Sequence, residues 1–254
     1  MEAPSWLAQQ LRLTAFTYDT SVGDHTAWWH VVTGESPAET ATKLKEHQFF
    51  AAGETGKGKL LLNRSLPRVD WLYGPTEREH DPPLILPSTG PFREELRFFS
   101  DLMHKWLDVS PPVYRLALGG LLYLPAESRE DGYTHLKRYL PALTIDPIGS
   151  SDLLYQINRP RRSGSKEGLE INRLSKWSVI SLIRARLTVG PELLASSDVT
   201  RLEFGGRLEL DVNSSIAEKG DIREMNALAT HELHSLLDEL AVFSQEIARE
   251  GDVP

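Results

Sequence analysis

The sequence predicts an α+β protein: antiparallel or mixed sheets with packed helices, in an order compatible with two similar halves, closed by a long C-terminal amphipathic helix. Three observations predict it. Strand-like runs come in adjacent hairpin-like groups and do not alternate strictly with helices, which argues against a doubly wound parallel sheet. Helix-start signals recur at Ser36, Pro91 and Ser128. The C-terminal stretch carries one clean apolar face at helical spacing.

Leu11 to Tyr18 is rich in β-favouring residues and predicts a strand. A second strand is expected through Trp28, Trp29, Val31 and Val32 after the loop Asp19–Asp24. Ser36-Pro37-Ala38-Glu39 has the form of a capping box with proline at the first helical position, and predicts a short helix to about His47. Phe49–Ala52 and Leu60–Asn63 flank the turn Gly53–Gly58 as a hairpin, and Val69–Tyr73 reads as another strand. Pro75, Pro82, Pro83, Pro87 and Pro91 then exclude regular helix or central strand. The division expected from this pattern is 1–74, an N-terminal α+β half; 75–90, a proline-rich connection; and 91–254, a C-terminal half with the closing helix.

Pro91 opens a helix with Glu94 and Glu95 in its first turn and His104 and Lys105 in its last, matching the helix dipole. Phe92, Leu96, Phe99, Leu102, Met103 and Trp106 form its apolar stripe. Val113–Leu124 reads as a buried strand, and Ser128 with Asp131 starts a helix to about Leu140. Strands are expected around Leu153–Arg159, Leu169–Arg186 with an interruption, and Leu202–Val212. Asp221 with Glu224 opens the last helix, whose apolar positions are Ile222, Met225, Ala229, Leu233, Leu236, Leu240, Phe243 and Ile247.

The 254 residues hold 40% hydrophobic and 25% charged residues, a globular balance that argues against disorder. The absence of cysteine excludes disulfides, thiolate metal sites and cysteine nucleophiles, and fits a reducing compartment. The N-terminus, MEAPSWLAQQLRL, lacks a basic region followed by an apolar core, and no apolar run approaches the ~20 residues a bilayer requires. The expected location is cytoplasmic.

Net charge is −8, but it is unevenly spread. Arg159, Arg161, Arg162, Lys166, Arg173, Lys176, Arg184 and Arg186 face only Glu167 and Glu170 between 159 and 186, a net +6, which leaves −14 for the remainder. Ile157-Asn158-Arg159 is repeated as Ile171-Asn172-Arg173, so pairing of the two strands would bring their arginines to one surface. Arginine grips phosphate or carboxylate at two points, and Tyr155 or Trp177 could stack on a base. The segment therefore reads as an anion surface for nucleic acid or an acidic protein, or as a set of arginines neutralised by the protein's own acidic bulk.

Other motifs fail on context. Gly53-x-x-x-x-Gly58-Lys59 is followed by Leu60 where a P-loop has serine or threonine, and by a strand where it has a helix. Ser163-Gly164-Ser165-Lys166 has the spacing of some acylating serine enzymes, but lies in a loop. His231-Glu232-Leu233-His234 is one residue short of the zincin pattern. With Asp238, His231 and His234 would make a metal site only if another element covered that side of the helix. No Gly-x-Ser-x-Gly or Gly-x-Gly-x-x-Gly is present, and no Asp, Glu or Gln stands two residues before a lysine.

In its length, its order of elements, its arginine-bearing middle strands and its long closing helix, the chain resembles a sporadically distributed bacterial family of uncharacterised proteins. That family is marked by Pro-Pro-Leu near the N-terminus; here Pro82-Pro83-Leu84 is interior. The resemblance implies a bacterial accessory protein linked to defence or mobile elements, and supplies no catalytic residues.

The function expected is a non-enzymatic binding or assembly protein, a subunit of a larger complex. It would contact nucleic acid or an acidic protein through Tyr155, Arg159, Arg161, Arg162, Lys166, Arg173, Lys176, Arg184 and Arg186, with no cofactor. The alternative is a metal-dependent hydrolase with His231, His234 and Asp238 as ligands.

Overall fold

The computed structural model describes residues 5–21, 23–76, 86–189, 195–216 and 226–252, excluding the side chains of 183–189, 195–202 and 216. Pro82, Pro83, Asp221, Ile222, Glu224 and Met225 lie outside the described residues.

The α+β expectation of two similar halves, with mixed sheets open, is corrected: the described strands form one eleven-stranded, wholly antiparallel sheet. Its order is β2-β3-β4-β5-β1-β7-β11-β10-β8, with the two-residue β6 beside β1 and β9 beside β10. The strands are β1 (Leu7–Thr17), β2 (Glu39–Lys43), β3 (Gln48–Thr55), β4 (Gly58–Ser65), β5 (Arg68–Gly74), β6 (Gly90–Pro91), β7 (Val113–Ala126), β8 (Leu154–Asn158), β9 (Arg161–Arg162), β10 (Leu169–Val189) and β11 (Ala195–Ile216). The reason is β1, which pairs with β5 on one side and β7 on the other, so strands from both ends of the chain join in one sheet.

Among the described residues the α-helices are α1 (Thr26–Thr33), α2 (Phe92–Leu107), α3 (Arg129–Tyr139) and α4 (Thr230–Glu250). All four pack on one face of the sheet. Trp29 of α1 stacks on Trp71 of β5, Phe99 of α2 on Tyr73, and Tyr139 of α3 on Trp177 of β10, while Arg173 of β10 lies 5.2 Å above the Phe243 ring of α4. Trp29, Trp71, Trp106 and Trp177 are fully buried between the layers. Each such aromatic removes about 150–250 Å² from water. On the opposite face Arg68 pairs with Asp70 at 2.7 Å, Thr14 donates to Asp70 at 2.6 Å, and Arg115 donates to Asn213 at 2.8 Å.

Several elements match their sequence signals. Pro91 caps α2, and the Ser128 hydroxyl accepts from the Asp131 amide at 3.1 Å at the start of α3. β3 and β4 make the hairpin expected around Gly53–Gly58. Two local readings change places. Thr26–Thr33 is a helix, because Trp29 and Val32 need one inward face and Gly34 closes it at φ 80°. Residues 39–43, expected as helix, form the exposed edge strand β2, followed by a 3-10 turn at Leu44–Glu46. β10 continues through its expected interruption, and α4 begins at Thr230 after a non-helical 226–229.

Candidate functional site

α4 presents three sides. Leu233, Leu236, Leu237, Leu240, Ile247 and Ala248 face the sheet. Glu232, Glu239 and Glu246 recur every seven residues, which keeps them in one row on one flank. His234 and Asp238 lie on the other flank. Glu232 also accepts from the Ala229 amide at 2.9 Å, closing the first turn.

The acidic row meets the basic segment. Lys166 pairs with Glu232 at 2.5 Å. Glu239 accepts from the Ser163 and Ser165 hydroxyls, both at 2.6 Å, and from the Gly164 amide at 2.7 Å. This is why Ser163-Gly164-Ser165-Lys166 has no acylating geometry: its hydroxyls hold a carboxylate. Glu246 pairs with Arg161 at 3.2 Å and with Arg173 at 3.4 Å. Past the helix end, Asp252 accepts from Arg159 Nε at 2.9 Å, from Arg159 Nη2 at 3.0 Å and from the Tyr155 hydroxyl at 2.7 Å.

Backbone geometry places Asp252. Gly251 sits at φ 83°, and a Cβ there would stand 2.0 Å from the Tyr139 carbonyl oxygen. Without it, the Asp252 amide donates to that carbonyl at 2.8 Å and docks the chain end against α3.

The electrostatics follow. The Arg159 hydrogen bond, aided by Tyr155, holds the Asp252 carboxyl below its ordinary range despite burial. Burial works against ionisation of Glu239, yet the Ser163 and Ser165 hydroxyls and the Gly164 and Ser165 amides hold it low. The Lys166 hydrogen bond lowers Glu232. Burial lowers Arg173, whose side chain is 2% exposed, and neighbouring Arg161 adds to the effect.

The sequence-identified basic residues therefore do not share one surface. Register puts Arg161 opposite Ile171, on the helix side, and Arg162 opposite Glu170, on the open side. Tyr155, Arg159, Arg161, Lys166 and Arg173 meet α4 and the segment that follows it. Arg162 is exposed, and Lys176 pairs with Glu209 at 3.2 Å on the open face. The backbone of Arg184 and Arg186 belongs to β10, and their side chains lie outside the described residues.

The other flank of α4 meets α2. His104 Nε2 is 2.9 Å from Asp238 Oδ1, and His234 Nε2 is 3.0 Å from Asp108 Oδ1. The two Nδ1 atoms are 3.0 Å apart. His104 pairs across to residue 238 and Asp108 to residue 234, so the helices run antiparallel there. The sequence reading missed His104 and Asp108, and His231, which it grouped with His234 and Asp238, is exposed outside this chain of contacts. Among the described residues, no group of three or more His, Asp or Glu is arranged to hold a metal ion.

The third feature is backbone. β7 pairs with β11 over Phe204–Asn213, and β8 with β10 over Leu174–Ser178. Beyond an irregularity at Leu182/Ile183, the pairs from Ile183↔Arg201 to Val189↔Ala195 continue as a two-stranded ribbon. Among the described residues no further strand pairs with it.

Among the described residues no helix is long and apolar enough to cross a membrane. No protein-family model, curated protein or solved structure matches the chain.

Proposed function

We propose that this chain is a non-enzymatic binding or assembly protein, a cytoplasmic subunit of a bacterial complex, which docks a protein partner through the β10–β11 ribbon. The observation that carries the reading is the run of seven residue pairs from Ile183↔Arg201 to Val189↔Ala195, which no other strand among the described residues accompanies. At about 3.3 Å per residue the ribbon reaches roughly 20 Å past the sheet. A two-stranded ribbon is marginal in water, and its edges, which no strand among the described residues covers, offer N–H and C=O groups to an added strand. A partner that adds a strand or covers the ribbon satisfies both needs.

The basic segment supports a protein over nucleic acid as partner. Arg159, Arg161, Lys166 and Arg173 all face carboxylates of this chain, with Arg161 and Arg173 sharing Glu246, so three carboxylates offset most of the charge of these four cations. The resemblance to a bacterial accessory family points to the same class of role.

The test shortens the ribbon by replacing residues 184–200 with a two-residue Asn-Gly turn. Tagged wild-type chain purified from its native host is expected to carry a stoichiometric protein partner. The shortened chain is expected to fold with a Tm within about 3 °C of wild type and to lose that partner. A shortened chain that keeps it contradicts the proposal.

A further inference from the structure

The row Asp238–His104–His234–Asp108 contains three contacts at hydrogen-bond distance, of 2.9, 3.0 and 3.0 Å. Three hydrogen bonds need three protons, and two neutral imidazoles bring two. If each Nε2–H donates to its carboxylate, two bare Nδ1 lone pairs oppose each other at 3.0 Å, which is repulsive. If one Nδ1–H donates to the other, a bare Nε2 opposes a carboxylate oxygen. A metal ion between the two Nδ1 atoms would use both lone pairs and remove the repulsion.

We propose that His104 and His234 form a two-nitrogen site for a divalent transition-metal ion of the zinc, nickel and copper class, which takes the place between the two Nδ1 atoms and ties α2 to α4. Imidazole nitrogen suits these ions. The arrangement behind the ligands is the one metal-bound histidines use. Each Nε2–H is held by a carboxylate, Asp238 for His104 and Asp108 for His234, which orients the ring and turns Nδ1 outward as the ligand. Two Zn–N bonds of about 2.05 Å at a tetrahedral angle put the nitrogens about 3.3 Å apart. The observed 3.0 Å needs the rings to part by only about 0.3 Å to reach that spacing. The histidine side chains are 25% and 30% exposed, so water can enter to complete the coordination. Two carboxylates beside one divalent ion also balance its charge.

The experiment is a calorimetric titration of the full chain with zinc chloride. The expected result is one ion per chain. His104→Ala and His234→Ala are each expected to lose it, while His231→Ala, on the exposed neighbouring turn, keeps wild-type affinity. Asp238→Asn, at an exposed carboxylate, is expected to weaken binding by about 10- to 100-fold with the metal-free fold intact by circular dichroism. Absence of zinc binding by wild type overturns the site. So does binding that survives the His104→Ala/His234→Ala double substitution, or loss of binding in His231→Ala.

Discussion

Arg159 and Asp252, 93 residues apart in sequence, meet in two parallel hydrogen bonds of 2.9 and 3.0 Å, with the aspartate side chain 1% exposed. This pair joins the β8 edge of the sheet to the end of α4. Asp252→Asn removes a buried charge with three bonds to it, and is expected to cost about 2–3 kcal/mol by urea denaturation. Arg159→Lys keeps the charge but not the two-point grip, so it is expected to lose part of the same stability.

Acid should loosen the same contacts. Asp252, Glu239 and Glu232 all have folded pKa values below their ordinary ones, for the hydrogen-bonding reasons given above. Their stabilisation is complete above the unfolded values near 4 and is lost as pH falls through the lower folded values. The urea midpoint is expected to fall steadily from about pH 5 downward. Glu239→Gln is expected to lower the midpoint at neutral pH and to flatten that fall.

Arg173 and Glu246 should respond unequally. Arg173 is buried, its Nε and Nη1 have no hydrogen-bond partner among the described residues, and Glu246 also pairs with Arg161. Arg173→Met is therefore expected to change stability by less than about 1 kcal/mol, in either direction. Glu246→Gln leaves the buried guanidinium without its carboxylate and is expected to cost about 3 kcal/mol.

Nucleic-acid binding should be weak and insensitive to the basic segment. Labelled DNA and RNA across a salt series are expected to show no steep loss of affinity with salt. Arg161→Glu/Arg162→Glu is expected to leave the curves unchanged. Tight binding with a steep slope that the variant flattens would restore a phosphate-contacting role for these arginines.

Local signals read well where a few neighbouring residues decide the outcome, as in the Ser128 cap, the Pro91 start and the Gly53–Gly58 hairpin. They misled where tertiary burial outweighed propensity. The aromatic, β-branched run at 26–33 became a helix because Trp29 and Val32 share one face, and the capping-box pattern at Ser36 was overridden by edge pairing with β3. The heptad spacing of Glu232, Glu239 and Glu246 and the repeated His-x-x-x-Asp at 104 and 234 are both visible in the chain. Their partners are not, because strand register and the antiparallel approach of α2 and α4 are set by contacts more than 60 residues apart. The pairing of Arg159, Arg161, Lys166 and Arg173 with carboxylates of α4 and of the segment after it depends on that same register.

The most direct measurement is hydrogen exchange of the backbone amides of 183–189 and 195–201, in the isolated protein and in the complex purified from its native host. Fast exchange in the isolated protein relative to β1 and β7, and strong protection in the complex, are expected. Protection equal to β1 and β7 in the isolated protein, or no gain on complex formation, would rule out docking through the ribbon.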